Sequence, residues 1–234
     1  MPGKAPPHIH DLANATGGWL SPAEGDLLFH LASQCRAGCI VEIGSFQGKS
    51  ITYLAAGSEA GASVPVYSID PHTGDGSASG TYPAFQRQVA RSGLAHLLRP
   101  VVAPSQEAAL QFDEQIGVLF IDGDHDGASV KLDWDLWVPK VLPGGYVAMH
   151  DTLLWRAPRE FAEKRIIRSA EFVRTGVADS ITFGKKRQEG DAKENSLQRL
   201  RVLLLKRASN LGARIPLPSS AKAFGSRALR ALQR

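Results

Sequence analysis

The sequence predicts an α/β fold built on a mostly parallel β-sheet. Short apolar runs alternate with amphipathic helical patterns over most of the 234 residues. This alternation is typical of parallel strands joined by right-handed helical crossovers. The alternation stops near the end of the chain, where the last two apolar runs, 180–186 and 201–206, are separated only by a polar loop. Two strands without an intervening helix favour an antiparallel hairpin.

Five strand–helix units precede this hairpin. The predicted strands are residues 39–43, 64–69, 97–102, 117–121 and 146–149. The predicted helices are residues 48–56, 82–90, 105–112, 128–138 and 159–172. An earlier helix begins at Pro22, because Ser21 suits the N-cap, Pro22 the first helical position and Glu24 the third.

The length suits one domain with some decoration. We predict an N-terminal arm or cap at 1–22, the main domain at 23–206 and a basic C-terminal appendage at 207–234. The net charge is +4, yet residues 201–234 carry eight Lys or Arg and no Asp or Glu. Such a segment can meet membranes, nucleic acid or a protein partner, and a solvated charged tail is the favoured interpretation.

Cysteine usage and hydropathy predict a cytoplasmic protein. Cys35 and Cys39 are expected to be reduced and structural, because a bridge over so short a loop stabilises little. The N-terminus MPGKAPPHIH lacks the apolar core of a signal peptide. No apolar run approaches the roughly 20 residues of a membrane-spanning helix. We expect no membrane span and no nucleic-acid partner.

The stretch VEIGSFQGKS, residues 41–50, includes the end of the first predicted strand and finishes like a phosphate-binding loop. It is one residue short of that motif, because only three residues separate Gly44 from Gly48, and Glu42 would repel a triphosphate. It also lacks the dinucleotide fingerprint, since Phe46 stands where the second glycine would admit a pyrophosphate. S-adenosylmethionine (SAM) has an amino-acid tail in place of pyrophosphate, so this loop suits SAM.

Several residues are predicted to bind SAM. Glu42, Gly44, Ser45 and Gly48 form the cradle for the methionine end, and Ser50 opens the following helix. Asp70 ends the second strand, where an acid binds ribose hydroxyls in such sheets. Ser105 and Gln106 follow the third strand and are placed to meet adenine. The alternatives are a cap or turn role for Asp70 and a plain N-cap role for Ser105.

Polar residues also follow the fourth and fifth strands, at Asp122 and at His150-Asp151. Adjacent strand ends bring Asp122 and Asp151 within reach of one ion, and oxygen ligands suit Mg²⁺. His150 beside them would favour Mn²⁺ or another first-row metal. His125 is the predicted general base, because imidazole titrates near neutral pH. The alternative for these residues is a capping, loop or packing role.

The segments VEIGSFQGKSITYLA, YSIDPH, LFIDGDH and LPGGYVAMHD resemble class I SAM-dependent O-methyltransferases. They are most similar to the metal-dependent branch with macrolide-sugar O-methyltransferases and cephalosporin hydroxylase-like proteins, over residues 18–206. The resemblance implies a Rossmann-like three-layer sandwich whose seven-stranded, mostly parallel sheet has an antiparallel last strand. It implies that Asp122, which also borders SAM, holds a divalent ion with His150 and Asp151, and that His125 is the base. Relatives often have an acid at the position of His150.

The predicted function is therefore metal-dependent O-methylation of a sugar, an oligosaccharide or a glycosylated natural product. The saccharide follows from the resemblance and from Trp19, Tyr82 and Trp155, which can stack on sugar rings. A catechol or other phenol is the alternative acceptor, and a non-catalytic SAM-binding protein is an alternative function. An NAD-dependent oxidoreductase lacks its glycine fingerprint here, and a hydroxylase would need iron and an oxygen-linked cosubstrate. The arm and the basic tail are candidates to mediate a homodimer.

Overall fold

A computed structural model describes residues 3–73, 80–192 and 196–214. Its core is a seven-stranded sheet in the order β3-β2-β1-β4-β5-β7-β6. The strands are β1 (Cys39–Ile43), β2 (Val66–Ile69), β3 (Leu98–Val101), β4 (Ile116–Ile121), β5 (Val141–Met149), β6 (Phe172–Ala178) and β7 (Ile181–Lys186). β7 runs antiparallel to both of its neighbours, and the pairs among β1 to β5 are parallel. The predicted α/β, Rossmann-like fold with its antiparallel last strand is thus confirmed.

Helices cover both faces of the sheet. They are α1 (Pro7–Asn14), α2 (Pro22–Ser33), α3 (Lys49–Ala60), α4 (Tyr82–Ser92), α5 (Ser105–Gln111), α6 (Gly127–Trp137), α7 (Arg156–Ala162) and α8 (Ser196–Arg214). A 3₁₀ turn, Val138–Lys140, follows α6, and a π-helical turn, Glu163–Ile167, follows α7. The predicted capping box at the start of α2 is confirmed, because Ser21 and Glu24 bond each other's backbone N–H groups.

Two apolar cores lie on opposite faces of the sheet, which gives three layers. Successive strand residues point to opposite faces, so Ile40 joins the core that contains Leu28 and Leu54, whereas Val41 joins the core that contains Trp134. The central strands β1 and β4 are buried along their whole length, as their largely apolar sequences predict. The parallel register aligns Ile43 with Ile69 and Ile121, so the polar residues that follow these strands emerge at one edge.

The predicted strand at 201–206 is wrong, because these residues lie inside α8. The helix places Lys206 against the sheet, where its Nζ donates to Thr182 Oγ1 at 3.0 Å, while Leu204 is exposed. The apolar run therefore does not form a buried strand. The hairpin pairs β6 with β7 instead, and the predicted helix at 159–172 ends before β6 begins at Phe172.

The predicted N-terminal arm contains the helix α1. The Pro and Gly content of this segment gave no indication of a helix. His10 on this helix bonds Tyr53 and Asp26, which ties α1 to the main domain. Among the described residues, no helix has the length and apolar character needed to cross a membrane. The division at residues 22 and 206 stays a prediction, and residues 215–234 of the predicted C-terminal appendage lie outside the described residues.

Candidate functional site

A cavity of about 900 Å³ opens at the edge of the sheet where β1, β2, β4 and β5 end. Ligands of open α/β sheets bind beyond the carboxyl ends of the strands. Most of the predicted site residues border this cavity: Gly44, Ser45, Ser50, Asp70, Ser105, Gln106, Asp122, His125, His150 and Asp151. The N-terminal segment 17–20 forms part of the wall as well.

The loop after β1 passes very close to the end of β4. Gly44 has a φ of 85°, and a Cβ at this position would collide with the backbone carbonyl of Asp122. Only glycine fits both the conformation and the space. Phe46 also has a positive φ, 45°, and its backbone N–H donates to Asp70 Oδ2 at 2.7 Å. Asp70 therefore fixes the loop in addition to facing the cavity.

Two predicted cofactor-binding residues do not border the cavity. Glu42 is completely buried behind the loop, and Gly48 caps α3 in the left-handed conformation with φ 91°. Burial raises the pKa of Glu42 to about 8, although the hydroxyls of Ser50 and Ser45 partly offset it. In the part of the chain that the structure describes, neither buried carboxylate oxygen of Glu42 has a hydrogen-bond partner.

One end of the cavity contains a buried acid that the sequence did not single out. Asp133 lies on α6, is 5 % exposed and accepts a hydrogen bond from the hydroxyl of Ser105. Burial raises the pKa of Asp133, and the bond from Ser105 partly offsets this. In the sequence, Asp133 looks like one polar position of an amphipathic helix, so its contact with the loop after β3 carried no signal.

His150 lies among three carboxylates. Its Nδ1 is 3.0 Å from Asp122 Oδ1 and 3.3 Å from Asp151 Oδ2, and its Nε2 is 3.5 Å from Glu24 Oε1. Burial alone would lower the pKa of His150, but these carboxylates outweigh burial and raise it far above the usual value. Glu24 also accepts hydrogen bonds from the backbone and hydroxyl of Ser180. The capping residue of α2, which precedes His150 by 126 positions in the chain, thus packs beside the site.

His125 contacts the other side of Asp151. Its Nε2 is 2.6 Å from Asp151 Oδ2, and its ring stacks on Trp155 with centroids 4.5 Å apart. Asp151 has a φ of 55°, a left-handed conformation that is uncommon outside glycine and that clusters at functional sites. One carboxylate therefore faces both histidines, and the imidazole of His125 is held between a carboxylate and an indole face.

The donor set of Asp122, His150 and Asp151 fits a divalent ion. One ligand atom from each of these residues lies within 4.8 Å of the other two, and all three residues border the cavity. Two carboxylates and one imidazole suit Mn²⁺ as well as Mg²⁺. A protonated imidazole cannot ligate, so ion binding by His150 must displace its proton.

Comparisons with known proteins match the chain to one family model and to several solved structures. A protein-family model described as "Methyltransferase domain" matches residues 41–152. TomG, an O-methyltransferase from Streptomyces achromogenes involved in tomaymycin synthesis and solved with SAM, has a TM-score of 0.60 and 18% identity, covering 80% of this chain and 92% of that chain. The chain has a Rossmann-like methyltransferase fold. The family model indicates a methyltransferase domain over residues 41–152.

Two further structures share this methyltransferase fold. The methyltransferase PaMTH1 from Podospora anserina, bound to S-adenosylhomocysteine (SAH), has a TM-score of 0.60 and 13% identity, covering 79% of this chain and 89% of that chain. An O-methyltransferase from Bacillus cereus in complex with SAH has a TM-score of 0.55 and 18% identity, covering 76% of this chain and 89% of that chain. At these identities the likeness establishes the fold.

Proposed function

We propose that this chain is a metal-assisted, SAM-dependent O-methyltransferase that acts on a hydroxyl group. The observation that carries the proposal is the convergence of two groups on one cavity. The glycine loop with Asp70 forms one part of the wall, and the Asp122, His150 and Asp151 cluster with His125 forms another. The first group suits a methyl donor and the second suits a hydroxyl acceptor.

SAM would lie along the strand ends from β1 towards α5 and α6. Gly44 and Ser45 would contact its methionine end, and Asp70 would bind the ribose hydroxyls, the role of an acid after the second strand of such sheets. Ser105, Gln106 and Asp133 would then meet the adenine, because they form the wall beyond Asp70. Glu42 lies buried behind the loop, Gly48 caps α3, and Asp122 would border the donor.

His125 would accept the proton of the acceptor hydroxyl. In the transfer, the hydroxyl oxygen bonds the methyl carbon while the carbon–sulfur bond breaks, and SAH leaves. Asp151 orients the imidazole and stabilises its positive charge once the proton has arrived, since their 2.6 Å contact already exists. A bound divalent ion would lower the pKa of the hydroxyl and fix its position.

We further propose a saccharide as the acceptor. Trp19 is 84 % exposed and borders the cavity, and Trp155 is 53 % exposed with one face on His125. Exposed indole rings beside a polar cluster suit the apolar face of a sugar ring. A phenol is the second candidate, because the same rings also stack on a flat aromatic acceptor. The cytoplasmic location and the homodimer remain predictions.

Calorimetry with SAM, NAD and ATP, each with and without Mg²⁺, tests the donor half of this proposal. We expect SAM to bind, NAD and ATP not to bind, and Asp70→Ala to weaken SAM binding strongly. Asp113→Ala serves as the control, because Asp113 does not border the cavity. Binding of NAD or ATP in place of SAM would contradict the proposal. SAM binding without any methyl transfer would favour a non-catalytic SAM-binding protein.

A further inference from the structure

The outer face of α8 carries a row of exposed leucines. Leu197, Leu200 and Leu204 are 76 %, 50 % and 56 % exposed. They recur at intervals of three and four residues, so they form one stripe along two turns of the helix. Single exposed leucines are ordinary on protein surfaces, whereas a contiguous apolar stripe marks an interaction surface.

The inner face of α8 is already satisfied by the domain. Arg199 donates hydrogen bonds to the backbone carbonyls of Ile167, Ser169 and Phe172, and Lys206 is buried on Thr182. These two cations fix the helix on the domain. The leucine stripe therefore points away from the surface on which the helix is fixed.

Positive charge borders the stripe on both sides. At 100° per residue, Arg201 lies on one side of the leucines and Arg207 on the other, and both are exposed. Residues 196–214 contain no Asp or Glu. A leucine stripe bordered by arginines is the arrangement of helices that lie in the surface of an anionic membrane, with apolar side chains in the acyl region and cations at the headgroups.

We infer that the outer face of α8 docks on an anionic lipid surface. A second copy of the chain fits this face less well for two reasons. A two-fold interface would bring two copies of residues 196–214, a basic segment without Asp or Glu, against each other, and like charges repel. Three leucines also fall far short of the roughly 20 residues a side that a stable protein interface uses.

Vesicle co-sedimentation of the full chain tests this inference. The probes are vesicles of phosphatidylcholine alone and vesicles of phosphatidylcholine with phosphatidylglycerol. We expect binding to the anionic vesicles only, weakened by salt. The double variant Leu200→Ser, Leu204→Ser should bind about tenfold or more weakly, because it removes two apolar anchors. Arg207→Gln should weaken binding several-fold and reduce its dependence on salt.

Leu110→Ser is the matched control, because Leu110 is 83 % exposed on α5, away from this stripe. It should bind like the unchanged chain, and thermal melts of all variants should match. Equal vesicle binding by the double variant would overturn the inference and assign binding to the other basic residues. Three other results would also overturn it. They are equal binding to neutral and anionic vesicles, a dimer that forms with the unchanged chain but not with the double variant, and binding of RNA without binding of vesicles.

Discussion

His125 Nε2 lies 2.6 Å from Asp151 Oδ2, and the two residues come from different strand ends of the sheet. The loop after β4 carries His125, and Asp151 follows β5. The same Oδ2 atom of Asp151 lies 3.3 Å from Nδ1 of His150, and both of these residues are predicted metal ligands. The proposed base and the proposed ion site thus share one carboxylate, so a substitution at either one should alter the properties of the other.

Replacing the proposed base should stop chemistry without stopping donor binding. We expect His125→Ala to lower kcat by about 10²–10⁴-fold, because it removes the proton acceptor. SAM affinity measured by calorimetry should stay within about twofold. His96→Ala is the control, since His96 is an exposed histidine outside the cavity. Unimpaired turnover of the His125 variant would exclude its role as base.

Ion binding should release a proton, because the carboxylates around His150 raise its pKa. The imidazole is protonated at neutral pH without an ion, so Mn²⁺ affinity should rise with pH. Calorimetric titration of Mn²⁺ in buffers of different ionisation enthalpy measures the protons released, and we expect about one. His150→Asn should change the number of protons released, because the amide carries no ionisable proton and the raised pKa of the buried Asp122 loses the offset that His150 provides. Asp122→Asn should bind the ion much more weakly.

If ion binding to the unchanged chain released no proton, His150 would be excluded as a ligand. Ion binding that survives loss of Asp122 would exclude the whole cluster. Activity that persists unchanged in a strong chelator would exclude the metal from the reaction while leaving the donor site intact.

Asp133 should distinguish adenine from its deaminated analogue. A carboxylate accepts a hydrogen bond from the exocyclic amino group of adenine, but it has no proton to donate to a carbonyl oxygen at that position. We expect Asp133→Asn to bind SAH about tenfold more weakly and to lose the preference for SAH over S-inosylhomocysteine. Asp135→Asn is the control, because Asp135 is an exposed residue of the same helix. An unchanged preference in the Asp133 variant would refute this role.

Glu42 should make the protein without ligands less stable as pH rises from about 4.5 to 8. The folded chain keeps Glu42 protonated up to a pKa of about 8, whereas the unfolded chain ionises near 4.5. Between these values the folded state holds more protons, so raising the pH favours unfolding. Glu42→Gln should therefore gain stability relative to the unchanged chain, on the order of a few kcal/mol by pH 8.

Urea unfolding of both proteins at pH 5 and pH 8 measures this difference. Glu59→Gln is the control, because Glu59 is exposed and should show no comparable change between the two pH values. A stability difference that does not grow between pH 5 and pH 8 would show that Glu42 is ionised throughout.

Local patterns in the sequence predicted most of the fold. The alternation of apolar runs gave the five parallel strands, and the capping pattern at Ser21 gave the start of α2. The strand predicted at 201–206 was wrong, because the four apolar residues 202–205 suit a short strand or a helix equally well. The burial of Lys206 and the anchoring of Arg199, which decide for the helix, depend on residues far away in the chain.

The candidate site was predictable where its residues follow strands. Asp70 and Asp122 come directly after predicted strands and Asp151 comes one residue later after its own strand, so their convergence follows from the parallel sheet. Glu24 and Asp133 lie within helices and reach the site only through tertiary packing. Their sequence neighbourhoods suggest a cap and a solvated face, so no local pattern separates these two residues from ordinary helix positions.

Transfer of a labelled methyl group from SAM tests the proposed function most directly. The unchanged chain would be incubated with a panel of saccharides and phenols, with Mg²⁺ or Mn²⁺ and with a chelator. We expect label on a hydroxyl oxygen of a saccharide, loss of transfer in the chelator and no transfer by His125→Ala. A chain that binds SAM but labels no hydroxyl in the panel, or that transfers equally well in the chelator, would contradict metal-assisted O-methylation.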